Sequence, residues 1–239
     1  MNTAVIFAGG SGTRMNSKDK PKQFLLVHGK PIIVHTIEVF QNHSDIDAIV
    51  VVCIQDWIDH MAELQFRYRL DKIKKIVPGG ATGQLSIFSG LEAAEEISQG
   101  DDDIVLIHDG VRPLITPEEL SLNIESVKKH GSAITCVKTK ETVVLVNDED
   151  KVVKVPDRAH SYVAKAPQSF RLKDILAAQR KAISEGYNNM IDSCTLMQQY
   201  GYETYCIIGN YENMKITTPD DFYTFRALYD ARENQQLDF

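Results

Sequence analysis

The sequence predicts an α/β fold: a single doubly wound, mostly parallel sheet with a protruding β-hairpin arm. Three observations carry this expectation. Short β-branched runs, apolar on both faces, alternate with amphipathic stretches. No linker, internal repeat or low-complexity segment divides the chain, so one domain spans 1–239. The alternation breaks once, at about 138–165, where two apolar runs flank a polar turn.

The first strand is 3–8 (TAVIFA), followed by strands at 48–54 (AIVVVCI), 73–77, 104–108 (IVLIH) and 133–137. Only a strand covered on both sides can be this uniformly apolar, which is the situation of a parallel strand flanked by helices. Helical patterns lie between them at about 31–43, 56–70, 83–98 and 117–130. Thr116-Pro117-Glu118-Glu119 places threonine at the N-cap, proline at N1 and glutamate at N3, a capping box. Thr218-Pro219-Asp220-Asp221 repeats the logic, with acids in the first turn where the helix dipole favours them. In the segment ETVVLVNDEDKVVKVPDR, the turn Asn147-Asp148-Glu149-Asp150 joins two strands. A hairpin of this length cannot bury both faces alone, so it is expected to project and pack against a second subunit. The alternative is an edge hairpin folded onto its own domain.

Charge and composition narrow the function. With 26 Lys+Arg against 33 Asp+Glu, the formal net charge is −7. That argues against a general nucleic-acid or membrane-surface binder, since phosphate-backbone binding rests on basic excess. A small anionic ligand needs only a few cations in one cleft. No apolar run approaches the roughly 18 residues that span a bilayer, and MNTAVIFAGG lacks the features of a signal peptide. A cytoplasmic protein is expected. The four cysteines form no C-x-x-C pair, and the seven histidines show no metal-ligand spacing. Cys53 and Cys136 read as small buried hydrophobes.

In a doubly wound sheet, ligands bind beyond the carboxyl ends of the strands. Ala8-Gly9-Gly10-Ser11-Gly12-Thr13-Arg14-Met15 follows the first strand directly. Its glycines let backbone N–H groups approach an anion, and Arg14 adds charge. A dinucleotide fingerprint fails because Met15 stands where the third glycine belongs, and a P-loop fails for want of Gly-Lys-Ser/Thr. In Lys20-Pro21-Lys22-Gln23 the proline stiffens the loop that presents Lys22.

A-G-G-x-G-T-R-M followed by P-K-Q resembles the signature of nucleotidyltransferases that join an NTP to a phosphorylated sugar or polyol. Later segments sharpen the likeness: His108-Asp109-Gly110-Val111-Arg112-Pro113, Ala166-Pro167-Gln168-Ser169-Phe170 and Asn213-Met214-Lys215-Ile216-Thr217. In that order they resemble the cytidylyltransferases that make CDP-methylerythritol or CDP-ribitol, over nearly the whole chain. The resemblance implies a Rossmann-like fold, a homodimer whose arm at about 138–165 exchanges between subunits, CTP and a polyol phosphate as substrates, and Mg²⁺ held mainly by the triphosphate. It implies catalytic roles for Arg14, Lys22 and Lys215 on the triphosphate, with Ala8, Gly9, Gly10 and Gly12 wrapping it. Gly80 and Ser86 would contact cytosine or ribose. Asp109, Arg112, Thr142 and Arg158 would meet the acceptor, Arg158 from across the dimer interface. Asp109 could instead approach the metal or brace Arg112, and Arg158 could be a surface ion pair. His108 reads as a buried strand-end histidine.

The chemistry suits these residues. A phosphomonoester with a second pKa of about 6 is largely dianionic at pH 7. The nucleophile therefore needs no general base, and the obstacle is bringing one polyanion onto another, which calls for positioned cations and N–H donors. Three departures bear on specificity. Gly83 stands where relatives carry arginine, which bears on CTP selectivity. Ala166 and Ile191 stand where the methylerythritol enzymes have threonines. Losing both hydroxyls leaves acceptor atoms unpaired, at about 1–3 kcal/mol each, and disfavours methylerythritol phosphate; Lys165 could supply a replacement donor. The expectation is CMP transfer to a pentitol phosphate, ribitol 5-phosphate first and methylerythritol phosphate second. The other readings are a nucleotide-binding module without turnover and a broader sugar-1-phosphate nucleotidyltransferase.

Overall fold

A computed structural model describes residues 1–9 and 20–234 of the chain. Strand β1 (Asn2–Ala8) is followed by a short hairpin, β2 (Leu26–Val27) and β3 (Lys30–Pro31), and by helix α1 (Ile32–Asn42). Next come β4 (Ala48–Cys53), α2 (Ile58–Arg67), β5 (Ile73–Pro78) and α3 (Gly83–Glu95). Then come β6 (Ile104–Asp109), α4 (Pro117–His130), β7 (Ser132–Lys138), and the arm strands β8 (Leu145–Val146) and β9 (Val152–Lys154). The chain ends with β10 (Tyr162–Arg171), α5 (Leu172–Ser184), α6 (Ser193–Gln199), β11 (Cys206–Ile208) and α7 (Pro219–Asn234). A 7-stranded sheet has the order β11-β7-β10-β6-β1-β4-β5. All its pairings are parallel except those of β10, which runs antiparallel to both β6 and β7.

The doubly wound architecture follows from the alternation within each strand. Ala4 and Ile6 of β1, with Ile49, Val51 and Cys53 of β4, face one layer, where α1, α2 and α4 contribute Ile37, Phe40, Met61, Leu64 and Ile124. Val5, Val50 and Val52 face the other, against Leu91 of α3, Leu176 of α5 and Leu196 of α6. Every residue of β4 and β6 is buried. Cys53 and Cys136 lie in this core as expected, and burial pushes the Cys53 thiol up to about 11. α7 closes a third cluster in which Phe225 meets Val27, Ile32, Val111 and Leu114. No helix among the described residues is long and apolar enough to cross a membrane.

The predicted helix starts form as written. Thr116 Oγ1 accepts from Glu119 N and the Glu119 carboxylate accepts from Thr116 N, completing the capping box of α4. Asp221 accepts from the backbone N–H groups of Thr217 and Thr218 while its own N–H donates to Thr218 Oγ1, so α7 begins on the same device.

The segment at about 138–165 differs from the expected long hairpin. β10 returns beside β7, with Tyr162 opposite Lys138, and only the excursion between them forms the arm. Within it, β8 and β9 pair with each other alone. Val144, Leu145, Val146, Val152, Val153 and Val155 are 46–59% exposed, so the arm is not folded down onto its own domain. β10 itself escapes periodicity because Pro167 stands inside it. Proline offers no N–H to a ladder, and the β10–β7 register accordingly jumps from Ala164↔Cys136 to Gln168↔Ile134. Four residues advance on β10 for two on β7, a bulge that re-aims Lys165 and Ala166.

Gly90 marks the closest helix–sheet approach: a Cβ there would stand 2.5 Å from Val5 Cγ1 and 2.7 Å from Val52 Cγ2. We expect Gly90→Ala to force α3 off the sheet and lower stability by about 1–3 kcal/mol. Thermal or urea unfolding measures this, and an unchanged midpoint would show that α3 does not seat as described.

Candidate active site

The carboxyl ends of β1 and β6 lie side by side, Phe7 pairing with Asp109. Asp109 is buried, and both of its oxygens meet cations: Oδ2 accepts from Arg112 Nε at 2.7 Å, and Oδ1 faces Lys215 Nζ at 2.6 Å. Burial alone would raise the pKa of this carboxyl. Lys215 and Arg112 outweigh that and hold it down at about 2. Arg112 Nη1 also donates to Asn213 O at 3.0 Å, binding the 213–216 segment to the end of β6. His108 is buried with Nε2 at 3.2 Å from Arg112 O, and burial lowers its pKa to about 4. It is therefore a neutral strand-end residue, as the sequence indicated.

Lys22 opens a 3-10 turn, Lys22–Phe24, after Pro21. The lysine is buried, and its Nζ donates to Ile216 O at 2.9 Å. Gln23 Nε2 donates to Ala8 O at 2.6 Å, pinning the turn to the end of β1. Ile216 N in turn donates to Val111 O at 3.0 Å. Lys22 and Lys215, far apart in sequence, thus share one neighbourhood through the backbone of the next residue, Ile216. Arg14, Gly10 and Gly12 lie outside the described residues.

The turn before α3 converges on the same edge. Ser86 Oγ accepts from Gly80 N at 3.1 Å and donates to Thr82 O at 2.9 Å. A Cβ on Gly9 would lie 3.3 Å from Ser86 Oγ, and one on Gly80 would lie 2.5 Å from Leu85 Cβ. Gly9, Gly80 and Ser86 are therefore brought together as expected, with the serine hydroxyl bracing the turn. At Gly83, by contrast, a Cβ would meet nothing within 4 Å.

Between these elements lies a cavity of about 260 Å³ bordered by Phe7, Gly83, Asp109, Arg112, Lys165 and Lys215. Its outer wall is the loop from Tyr187 to Ser193, which side-chain amides hold in place. Gln84 Nε2 donates to Tyr187 O at 2.9 Å, and Gln84 Oε1 accepts from Met190 N at 2.8 Å. Gln168 Nε2 donates to Asp192 Oδ2 at 3.0 Å, and Gln168 Oε1 accepts from Cys194 N at 2.9 Å. Ala166 and Ile191 both line the cavity, and Ile191 is 92% exposed at its mouth. Thr142 and Arg158 lie exposed on the arm excursion and are not among the lining residues.

Sequence reading missed the bracing roles of Gln84 and Asp192. The only sequence signal was Asp192-Ser193, an N-cap pair; Asp192 Oδ1 does accept from Thr195 N at 2.8 Å. As a metal ligand Asp109 fits poorly, because Arg112 and Lys215 engage both its oxygens. A divalent cation bound there would have to displace Lys215.

The Asp109 cluster gives stability a definite acid dependence. The carboxyl pKa falls from 3.8 to about 2 on folding, so its contribution is complete above 3.8 and is lost as pH falls through about 2. The stability difference between the wild type and Asp109→Asn should therefore be constant from pH 7 to 5 and shrink toward pH 2. Denaturant titrations at stepped pH measure this, and a difference that widens in acid would contradict the ion-pair assignment.

Comparison with known proteins agrees with this geometry. Residues 2–230 match the family described as 2-C-methyl-D-erythritol 4-phosphate cytidylyltransferase, IspD. A ribitol-5-phosphate cytidylyltransferase of Streptococcus agalactiae serotype V is 63% identical over 237 residues, covering 99% of this chain and 98% of the relative. A 2-C-methyl-D-erythritol 4-phosphate cytidylyltransferase of Clostridium acetobutylicum is 37% identical, covering 95% and 97% respectively. Among solved structures, 4-diphosphocytidyl-2C-methyl-D-erythritol synthase from Anaerococcus prevotii superposes with a TM-score of 0.82 at 29% identity, over 96% of both chains. The chain belongs to the IspD family of cytidylyltransferases.

Proposed function

We propose that this protein transfers CMP from CTP to ribitol 5-phosphate, giving CDP-ribitol and pyrophosphate. The carrying observation is the clamp of Asp109 on Lys215 and Arg112 at the cavity edge, with Lys22 bonded to Ile216 O beside it. The 63% identity to a ribitol-5-phosphate cytidylyltransferase, against 37% for a methylerythritol relative, supports the pentitol acceptor. So do Ala166 and Ile191 on the cavity wall, which offer no hydroxyl to a methylerythritol chain.

In this reading an oxygen of the acceptor phosphate attacks the α-phosphorus of CTP. A new P–O bond forms, the bond to the β-phosphate oxygen breaks, and its electron pair leaves with pyrophosphate. The acceptor oxygen is already anionic, so no proton has to be removed. Lys22, Lys215 and Arg14 supply positive charge to the triphosphate, and Asp109 aims Lys215 through their ion pair rather than acting as a base. Gly9 and the turn at Gly80 offer backbone approach to the nucleotide. A Mg²⁺ ion carried by the triphosphate would offset part of its charge, leaving Lys22 and Lys215 to neutralise more of it.

The arm belongs to a dimer. Its half-exposed valines need a cover, and a second copy of the chain supplies one while carrying Arg158 and Thr142 toward the neighbouring acceptor cavity. Arg158→Ala is expected to raise the KM for the polyol phosphate much more than that for CTP, and the wild type to elute as a dimer at micromolar concentration. Equal losses for both substrates, or a monomer, would remove the trans-acting arm.

The acceptor is tested with ribitol, arabinitol, erythritol, glycerol and methylerythritol phosphates, each with all four NTPs. CTP with a pentitol phosphate should give the highest kcat/KM. A tenfold or greater preference for methylerythritol phosphate, a discrimination of about 1.4 kcal/mol, would overturn the reading of Ala166 and Ile191.

A further inference from the structure

One cation of the cavity has no part in the triphosphate chemistry above. Lys165 lies in the β10 bulge beside Pro167, where the interrupted ladder turns its side chain toward the cavity. Its Nζ donates to Tyr211 O at 2.8 Å and to Asn210 O at 3.3 Å. An ammonium has three N–H donors, so one remains after these two carbonyls. Lys165 lines the cavity together with Arg112, and burial, then the nearby charge of Arg112, lower its pKa.

Several neighbouring side chains are already engaged or carry no donor. Both donors of the Gln84 amide are taken, by Tyr187 O and Gln179 Oε1. The Gln168 amide is engaged with Asp192 and with Cys194 N. Ala166 and Ile191 have no donor. A pentitol phosphate carries one more chain carbon and one more hydroxyl than the methylerythritol compound, and that hydroxyl gains from a donor wherever the cavity wall takes it out of water.

We propose that Lys165 determines acceptor specificity, its remaining N–H donating to a hydroxyl of the polyol chain while Asn210 O and Tyr211 O hold the ammonium in place. The proposal rests on the reading of this cavity as the acceptor pocket. The competing role is a strut: the 210–213 turn precedes Lys215, and Lys165 could act only by steadying it.

The two roles separate kinetically. Wild type, Lys165→Met and Lys165→Arg are assayed with CTP against ribitol 5-phosphate and glycerol 3-phosphate. A lost charged donor should raise the ribitol 5-phosphate KM of Lys165→Met by roughly tenfold or more. Its kcat and the KM for CTP should stay near wild type, the penalty should be smaller with the shorter glycerol phosphate, and Lys165→Arg should recover most of the loss. A fall in kcat with an unchanged acceptor KM, or equal penalties on both acceptors, would assign Lys165 to the strut and overturn the proposal. If Lys165→Met does not fold, Lys165→Gln, which keeps N–H donors for the two carbonyls, is read in the same way. Wild type that transfers CMP to no pentitol phosphate would overturn the function itself, whereas an active wild type beside a variant of unaltered acceptor KM overturns only the role of Lys165.

Discussion

The ion cluster of Asp109 with Arg112 and Lys215 is the contact on which the site depends. A buried carboxylate is costly alone, and so is a lysine held against a sheet edge. Placed together, each removes the reason the other would be expelled. The pair also closes a long loop in the chain, since β6 and the 213–216 segment are about a hundred residues apart and meet here and at Val111. An acid in a pocket built for two anions is therefore a device for holding cations still. It fixes where the charge of Lys215 stands.

The remaining loops are held by side chains bonding to backbone rather than by secondary structure. Gln23 fastens its turn to Ala8, Gln84 and Gln168 fasten the 187–193 wall, and Asn213 donates to Ala166 O at 2.7 Å. Amides suit this work because each offers donors and an acceptor without adding charge to an electrostatically tuned cavity. The result is a frame in which backbone groups and cations are positioned before a ligand arrives, the condition under which electrostatic stabilisation of a transition state costs no reorganisation.

The same economy explains the asymmetry of the molecule. Helices cover both faces of the sheet at its centre, where β4 and β6 are wholly buried. The arm, set on the excursion between β7 and β10, is the reverse: its strands pair only with each other and leave valines in solvent. Burial is concentrated in the sheet, and the arm carries exposed apolar surface.

What the chain disclosed on its own was what neighbouring residues decide. The strands β1, β4, β6 and β7 were legible because burial on both faces writes a nearly unbroken apolar run, and α4 and α7 because a cap is a matter of three or four consecutive side chains. Resemblance of the motifs to known cytidylyltransferases also pointed to Lys22, Asp109, Arg112 and Lys215 as candidate site residues. What only the tertiary structure decided was which of these meet. Nothing near Asp109 in sequence announces Lys215, and nothing around Pro167 announces an antiparallel strand threaded between β6 and β7, since a proline argues locally against one. Those outcomes depend on partners distant along the chain, where the gain from pairing a charge or filling a bulge overrides local preference, and local pattern carries no record of it.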